Sequence, residues 1–268
     1  MTRRLITLAL PFLLLACAHT GGGDSTPQPD PVPPPVPQEP TPEERAIEIA
    51  QAVEQEAGLE ALQNTRGVRF LFAGFRLHHW DRFTGDHRVD ARSQDGTIFV
   101  IIHNVNNPGE GVAFRNGEPT SGEELATLLQ TAYGAWINDT YWLLFPFKLR
   151  DPGVNLTYDG EETLKDQVYD KLHLTFESVG LTPGDAYWAY VNQRTHRVDR
   201  WAYHLESFEE DQPPTAWDWS GYERHNGVLL SSNRTLVGSD RQLNLTDIEL
   251  MAAMPEGIFT STEALELP

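Results

Sequence analysis

Cysteine is nearly absent from this chain of 268 residues, which contains it only at Cys17. A single cysteine cannot form an internal disulfide bond, so no such bond can stabilise the fold. Basic side chains are scarce as well, because 20 lysines and arginines stand against 39 aspartates and glutamates, a formal net charge of −19. This imbalance excludes nucleic acid as a partner, and it would make an anionic bilayer surface repel the chain.

Recognisable catalytic motifs are missing too. The sequence contains no Gly-x-Ser-x-Gly elbow, no phosphate-binding loop and no dinucleotide fingerprint. Its acid pairs, Glu161-Glu162 and Glu209-Glu210, lie in polar, turn-like stretches where burial could not raise a carboxyl pKa. We therefore expect no cofactor and assign no catalytic residue.

The nine histidines do not form a predicted metal site. His78 and His79 are neighbours in a predicted strand, so their side chains point to opposite faces and cannot easily share one ion. We expect both to lie at the rim of the sheet with polar tips. His173 falls on the polar face of its strand, which favours solvent.

The N-terminus has the features of a secretory signal. Two arginines precede an apolar block that is shorter than the roughly 20 residues of a membrane-spanning helix. The block ends in Leu14-Leu15-Ala16-Cys17, which resembles the lipobox of bacterial lipoproteins. The resemblance implies that residues 1–16 are removed, that Cys17 is acylated, and that this lipid attaches the chain to a membrane.

The residue after the cysteine bears on the cellular location of the protein. Ala18 stands where Asp would signal retention in the inner membrane, so the resemblance implies an outer-membrane lipoprotein facing the periplasm or the cell surface. Removal of the signal would delete two arginines and no acid, leaving 18 basic against 39 acidic side chains, a net charge of −21. Residues 17–40 are rich in Pro and Gly and predict an extended tether, and 41–268 suit a single domain.

The domain alternates helix and strand signals. Thr41-Pro42-Glu43-Glu44 predicts a capped helix that runs to Gly58, and Ser121-Gly122-Glu123-Glu124 repeats the capping-box pattern for a second helix. Residues 68–80 read as one long strand bent at Gly74. Further strands are separated by turn signals at Asp95-Gly96, Asn116-Gly117, Asp159-Gly160 and Asn226-Gly227. About eleven strands and two main helices indicate an α+β domain, in which a strongly curved antiparallel sheet holds helices against its concave face.

The densest apolar run after the signal is Tyr141–Asp151. It is apolar on every side over Trp142–Phe147, so it must be buried. Pro146 cannot continue a regular helix, and we expect the chain to leave the helix there in an extended conformation. These aromatic residues are either ordinary core residues or the lining of a ligand cavity, and the sequence leaves both open.

Several of these features together resemble a known fold group. The phrase Tyr141–Leu149 leading to Asp151-Pro152-Gly153-Val154, and later Val179–Asp185 with Tyr187-Trp188-Ala189-Tyr190, resemble an uncharacterised family of bacterial lipoproteins in the LolA/LolB-like lipoprotein-localisation group. The likeness covers roughly residues 43–206. It implies an unclosed half-barrel, plugged by helices, whose apolar interior can hold acyl chains.

Three functions remain open on this basis. The first is a non-enzymatic, monomeric envelope protein that binds a lipid, an acyl chain or another apolar ligand; the second is an anchored scaffold or interaction protein without a ligand; the third is a hydrolase. For the first, ten apolar residues are the expected ligand contacts: Phe70, Phe72, Leu129, Trp136, Trp142, Phe145, Phe147, Trp188, Tyr190 and Trp201.

Overall fold

The computed structural model describes residues 38–177 and 182–267. A compact unit begins at Pro40. The predicted signal, Cys17 and most of the tether lie outside the described residues, as does part of the motif Val179–Asp185. Among the described residues, no helix has both the length and the apolar character needed to cross a membrane.

The described part of the chain contains three α-helices, one 3₁₀ turn and thirteen strands. The helices are α1 Pro42–Ala57, α2 Leu59–Asn64 and α3 Gly122–Leu144, and the 3₁₀ turn Phe145–Phe147 follows α3. The strands are β1 Gly67–Phe72, β2 Arg76–Asp81, β3 Asp86–Arg92, β4 Ile98–Asn104, β5 Asn107–Arg115, β6 Glu118–Pro119, β7 Val154–Leu164, β8 Gln167–Phe176, β9 Ala186–Asn192, β10 Val198–His204, β11 Thr215–His225, β12 Val228–Leu236 and β13 Gln242–Met251.

All thirteen strands form one antiparallel sheet in the order β6-β5-β4-β3-β2-β1-β13-β12-β11-β10-β9-β8-β7. Strands that follow one another in sequence are neighbours in the sheet, except for β6 and β7, and β1 also pairs with β13. No described pairing joins β6 to β7, so the sheet is open. The predicted fold class, an α+β half-barrel, is confirmed, and two more strands are present than the expected eleven.

Helix α3 connects the two free edges of this sheet, since it follows β6 and precedes β7. Its 23 residues extend about 34 Å at the usual rise. The helix packs against β4 and β5, and then against β12. It thus fills the interior that an unclosed sheet would otherwise leave open.

Helix α1 begins as predicted. The Thr41 hydroxyl accepts from the Glu44 amide, and the Glu44 carboxylate accepts from the Thr41 amide, which completes the capping box. The helix ends at Gly58, whose φ of 89° favours glycine. A Cβ there would also lie 2.4 Å from the Gly227 carbonyl oxygen, so this glycine permits close contact between α1 and the β11–β12 turn.

Two strand predictions are wrong. The segment 68–80 is two strands, β1 and β2, because Ala73 and Gly74 both adopt positive φ and reverse the chain. Asp159-Gly160 is not a turn but lies inside β7, where the pairing with β8 shifts register between Tyr158 and Glu161. The reversal occurs instead at Lys165-Asp166, where both residues have positive φ, a conformation that the sequence did not signal because neither is a glycine.

Two predictions at the ends of α3 are also wrong. Ser121 makes no side-chain capping bond, and Gly122 next to it has φ of 61°, outside the helical range in which a capping box forms. At the other end, Phe145-Pro146-Phe147 continues as a 3₁₀ turn rather than leaving extended. Pro146 fits there because the first turn of a short helix does not need its amide.

The central run is buried, as predicted, within the larger of two apolar clusters. Leu143, Phe145 and Leu149 have no solvent exposure, and they pack with residues of α1, β1 and β8–β13. A smaller cluster joins Leu129 and Ala132 of α3 to strands β3–β5.

The opposite face of β3 is covered by the C-terminal segment. Arg88 and Asp90 are buried there as a two-bond ion pair, with N···O distances of 2.6 and 2.8 Å. The Arg88 guanidinium donates to the carbonyls of Ile258 and Ser261, and Asp90 accepts from the Leu265 amide. A fully buried charged pair is therefore satisfied by backbone about 170 residues later in the chain.

Candidate functional site

The candidate site is a cavity of about 460 Å³ between the C-terminal half of α3 and the strands β8–β10. Helix α3 brings residues from one side, the strands bring aromatic side chains, and the connections before β9 and after β10 form the mouth. The lining consists of Ile137, Asn138, Tyr141, Trp142, Phe176, Thr182, Asp185, Tyr187, Trp201, Tyr203, Leu205, Glu206 and Ser207.

The walls are aromatic rings in edge-to-face contact. The ring centroids of Trp142 and Trp201 are 4.5 Å apart at an interplanar angle of 75°, and those of Tyr187 and Trp201 are 5.2 Å apart at 86°. Tyr203 also contacts Trp201, at 5.3 Å. Such contacts add to the stability gained by burial, so the walls are rigid.

Hydrogen bonds to carboxylates organise the mouth. Asp185 is only 3% exposed, and it accepts from the hydroxyls of Thr182 and Tyr187, at 2.7 and 3.1 Å, and from the Glu206 amide at 2.9 Å. The Glu206 carboxylate in turn accepts from the Gly184 amide at 3.1 Å. These bonds join the two connections that border the cavity.

Two polar atoms of the aromatic wall have no partner among the described residues: the Tyr141 hydroxyl and the Trp201 indole nitrogen, both closed to solvent. Burial, with smaller contributions from Tyr187 and Asp151, raises the pKa of Tyr141 well above its ordinary value. Tyr141 therefore stays neutral at ordinary pH and cannot serve as a base.

The ten residues expected to contact a ligand are spread over the interior and both faces of the sheet. Trp142 and Trp201 line the cavity. Phe145 lies behind them, with its ring centroid 5.3 Å from Trp201 and 5.8 Å from Trp219. Phe147 is half-buried and packs against the same cluster.

Trp188 and Tyr190 lie on the other face of the sheet. Trp188 pairs with Ala202, the neighbour of Trp201, so the period of two in a strand directs these two tryptophans to opposite faces. The Lys171 ammonium lies 5.8 Å from the ring centroids of both Trp188 and Tyr190. Neither aromatic residue lines the cavity.

The remaining four predicted residues belong to other parts of the interior. Leu129 packs in the smaller cluster, and Trp136 contacts Trp80 at 5.3 Å between centroids. Phe70 and Phe72 of β1 lie in the larger cluster. Tyr187 and Tyr203 were not among the predicted residues, although their alternation with Trp188 and with Ala202 indicates the cavity face.

Three buried histidines form a hydrogen-bonded chain beneath α3. His103 Nε2 lies 2.8 Å from His87 Nδ1, and His87 Nε2 lies 3.0 Å from His78 Nδ1. His78 Nε2 lies 2.8 Å from Asp139 of α3, which also binds Arg76 through two bonds of 2.6 and 2.7 Å. The expectation that His78 and His79 lie at the rim is wrong, because α3 covers one of them and both are buried; they do occupy opposite faces.

The partner of His78 assigns a tautomer to each ring. A carboxylate only accepts, so His78 donates through Nε2, and in its neutral form it accepts at Nδ1. His87 and His103 must then also donate through Nε2, which leaves His103 Nδ1 as an acceptor, and this atom has no partner in the described part of the chain. A proton added there could reach Asp139 by a shift of one hydrogen at each ring.

Burial affects the protonation states of the hydrogen-bonded histidines and of Asp139. It lowers the pKa of His87 well below its usual value and that of His103 to about 4, so both are neutral at pH 7. Burial raises the pKa of Asp139, but hydrogen bonds from His78 and Arg76 lower it more, and the net change is downward. The described residues contain no cluster of three or more ligands suited to a metal ion.

Arg234 holds the end of α3 beside the cavity. Its buried guanidinium donates to the Trp142 carbonyl at 2.6 Å and to the Ser231 carbonyl at 2.7 Å, and it lies 3.9 Å from the Trp219 ring centroid. Within the described residues it forms no ion pair, and burial lowers its pKa to about 9. The last carbonyls of the helix and the aromatic face stabilise the charge instead.

Comparisons with known proteins add a family match. A family of unknown function (DUF6503) matches residues 120–247, which include α3 and the whole lining of the cavity. Among curated proteins, none matches the chain.

Solved structures are similar only remotely. A DUF1329 family protein from Desulfovibrio piger is 11% identical, with a TM-score of 0.45 over 84% of this chain and 100% of its own. A lipoprotein-sorting protein domain from Vibrio parahaemolyticus is 11% identical, with a TM-score of 0.40 over 81% of this chain and 97% of its own. A LolA superfamily protein from Nitrosomonas europaea is 13% identical, with a TM-score of 0.38 over 79% of this chain and 97% of its own. The match to a family of unknown function agrees with the expectation of an uncharacterised family.

Proposed function

We propose that this chain is an envelope lipoprotein, anchored through Cys17, that binds a lipid or another apolar ligand and catalyses no reaction. The observation that carries the proposal is the cavity of about 460 Å³ at the end of α3. Sites for small ligands are concave and mostly apolar, with a few placed polar groups. Aromatic walls and a hydrogen-bonded mouth fit that description.

The cellular address is part of the same proposal and is supported by the lipobox. A lipid on Cys17 and a tether over 17–40 would hold the domain at the outer membrane, where apolar ligands are at hand. The runner-up is an anchored scaffold in which the same aromatic rings only fill the core. The close ring contacts around Trp201 favour that alternative, so the experiment must separate the two.

The test uses the full chain with Cys17→Ser, which carries no anchor lipid, and a neutral fluorescent dye such as Nile red. The apolar signal block stays in this unprocessed chain, so each effect is measured as a difference between variants that all contain it. Trp201→Leu, at the cavity, should weaken dye binding about tenfold or more, because it removes the central wall. Trp188→Leu is the matched control, since it changes a tryptophan on the adjacent strand but on the opposite face. It should leave binding unchanged.

Urea unfolding shows whether each variant is folded under the binding conditions. If Trp201→Leu unfolds, Tyr203→Leu is a second cavity variant, because Tyr203 is only half-buried. Native mass spectrometry of the wild-type chain tests for a lipid that co-purifies. Absence of both dye binding and co-purified lipid would reject the ligand-binding function and leave the anchored scaffold.

A further inference from the structure

We infer that the ligand carries a cationic nitrogen head at the mouth of the cavity, so that the site selects amine-headed amphiphiles over fatty-acid anions. This inference rests on the proposed function and narrows it. Apolar walls alone would accept chains with any head group. The charges around the mouth determine which head group is preferred.

The lining contains two carboxylates, Asp185 and Glu206, and no lysine, arginine or histidine within the described residues. Residues 178–181, Ser-Val-Gly-Leu, which lie outside the described residues, carry no ionisable side chain. An anionic head would therefore meet no cationic group there, and the chain as a whole has a net charge of −19, which also disfavours an anion.

Two basic groups near the site already have partners. The buried Arg234 guanidinium donates to the Trp142 and Ser231 carbonyls, which lie behind the aromatic wall. The Lys148 ammonium lies 5.9 Å from the Tyr141 ring centroid, on the α3 side of the site. It also forms an ion pair of 3.0 Å with Asp151. Lys148 is thus neutralised and does not offer a site for a carboxylate or phosphate.

Glu206 differs from Asp185 in its capacity for a further contact. Asp185 is buried and accepts three hydrogen bonds. Glu206 is exposed, and within the described residues its carboxylate accepts one, from the Gly184 amide. The second oxygen is available to a cation. Tyr203, which is half-buried and shares the lining with Glu206, adds an aromatic ring of the kind that attracts quaternary or primary ammonium groups.

The experiment compares three ligands with the same ten-carbon chain: decyltrimethylammonium, decanol and decanoate, each below its micelle concentration at pH 8. Displacement of Nile red from the Cys17→Ser chain measures their affinities at physiological salt. We expect the ammonium to bind most tightly, decanol less tightly and decanoate most weakly. Added salt should lower the affinity for the ammonium ligand and leave the affinity for decanol unchanged.

Two variants separate a local contact from the general charge of the protein. Glu206→Gln keeps the size of the side chain and an acceptor for the Gly184 amide, and it should lower the affinity for the ammonium about three- to tenfold without affecting decanol. Glu210→Gln removes the same charge from the same exposed connection but not from the lining. It should change neither affinity.

The outcomes distinguish this inference from the proposed function. Failure of all three ligands to displace the dye would count against ligand binding itself. Binding of decanol with decanoate at least as tight as the ammonium would overturn only the inference. Equal effects of the two variants would also overturn it, since the preference would then come from overall charge and not from the mouth of the cavity.

Discussion

At the residue scale, Phe145 is the side chain whose role is best defined by its surroundings. It has no solvent exposure and its ring contacts Tyr141, Trp201 and Trp219. It is not among the residues that line the cavity. These contacts make it part of the packed support behind the cavity wall.

We therefore expect Phe145→Ala to lower the free energy of unfolding by about 3–5 kcal/mol, as truncation of a large buried aromatic residue does. Urea unfolding measures the change. Phe83→Ala is the control, because Phe83 is 63% exposed and its loss should change stability by about 0.5 kcal/mol or less. A small loss at Phe145, with weakened dye binding, would instead show that its ring borders an empty space.

At the element scale, α3 is attached to the sheet at two points that carry charge. Asp139 in its C-terminal third binds Arg76 and His78, and the Trp142 carbonyl near its end accepts from Arg234. Asn138, which lines the cavity, donates to Asp139 at 2.8 Å. The histidine chain and the cavity wall are therefore connected through adjacent residues of one helix.

This attachment predicts sensitivity to acid. Burial depresses the pKa of His87, and of His103 to about 4, below the ordinary value of 6.5. Below pH 6.5 the unfolded chain takes up protons at these rings while the folded chain does not, so stability falls as the pH falls from about 6.5 towards 4. His103 alone should account for a loss of about 1–2 kcal/mol between pH 7.5 and 5.

Urea unfolding at the two pH values measures this loss in the wild type and in His103→Gln, whose amide can replace the Nε2 donor. The variant should lose less stability in acid than the wild type does. His204→Gln is the matched control, because His204 is partly exposed and bonds only the Glu209 carbonyl within the described residues. The same acid loss in all three chains would contradict the assignment to the buried histidines.

At the scale of the whole molecule, the sequence predicts an anchor and a tether ahead of the compact unit that begins at Pro40. The sequence predicts that Cys17 carries the lipid, and no described residue bears on this. We expect Cys17→Ser to accumulate as unprocessed precursor and to incorporate no labelled fatty acid, because the acylated thiol is missing. Metabolic labelling with a fatty-acid probe and the mass of the purified chain measure both effects, and normal labelling of the variant would refute the anchor.

Sequence by itself determined the features that depend on a few neighbouring residues. The capping box at Thr41 and Glu44, the turn at Asn226-Gly227 and the burial of 142–145 all follow from side chains within about four positions of one another. The opposite orientation of His78 and His79 follows from the strand period in the same way. The fold class could also be predicted from the sequence, because alternating strands and two amphipathic helices have few ways to bury their apolar faces.

The tertiary structure alone decided which distant residues meet. His87 lies directly opposite His103 in the β3–β4 register, and His78 lies diagonally from His87 because it pairs with Val89, two residues further along β3. Asp139 joins them from 61 residues further along the chain than His78. The burial of Arg88 and Asp90 depends on a segment about 170 residues away, and the cavity needs α3 and three strands at once. Such contacts depend on the relative placement of whole elements, which no local pattern encodes.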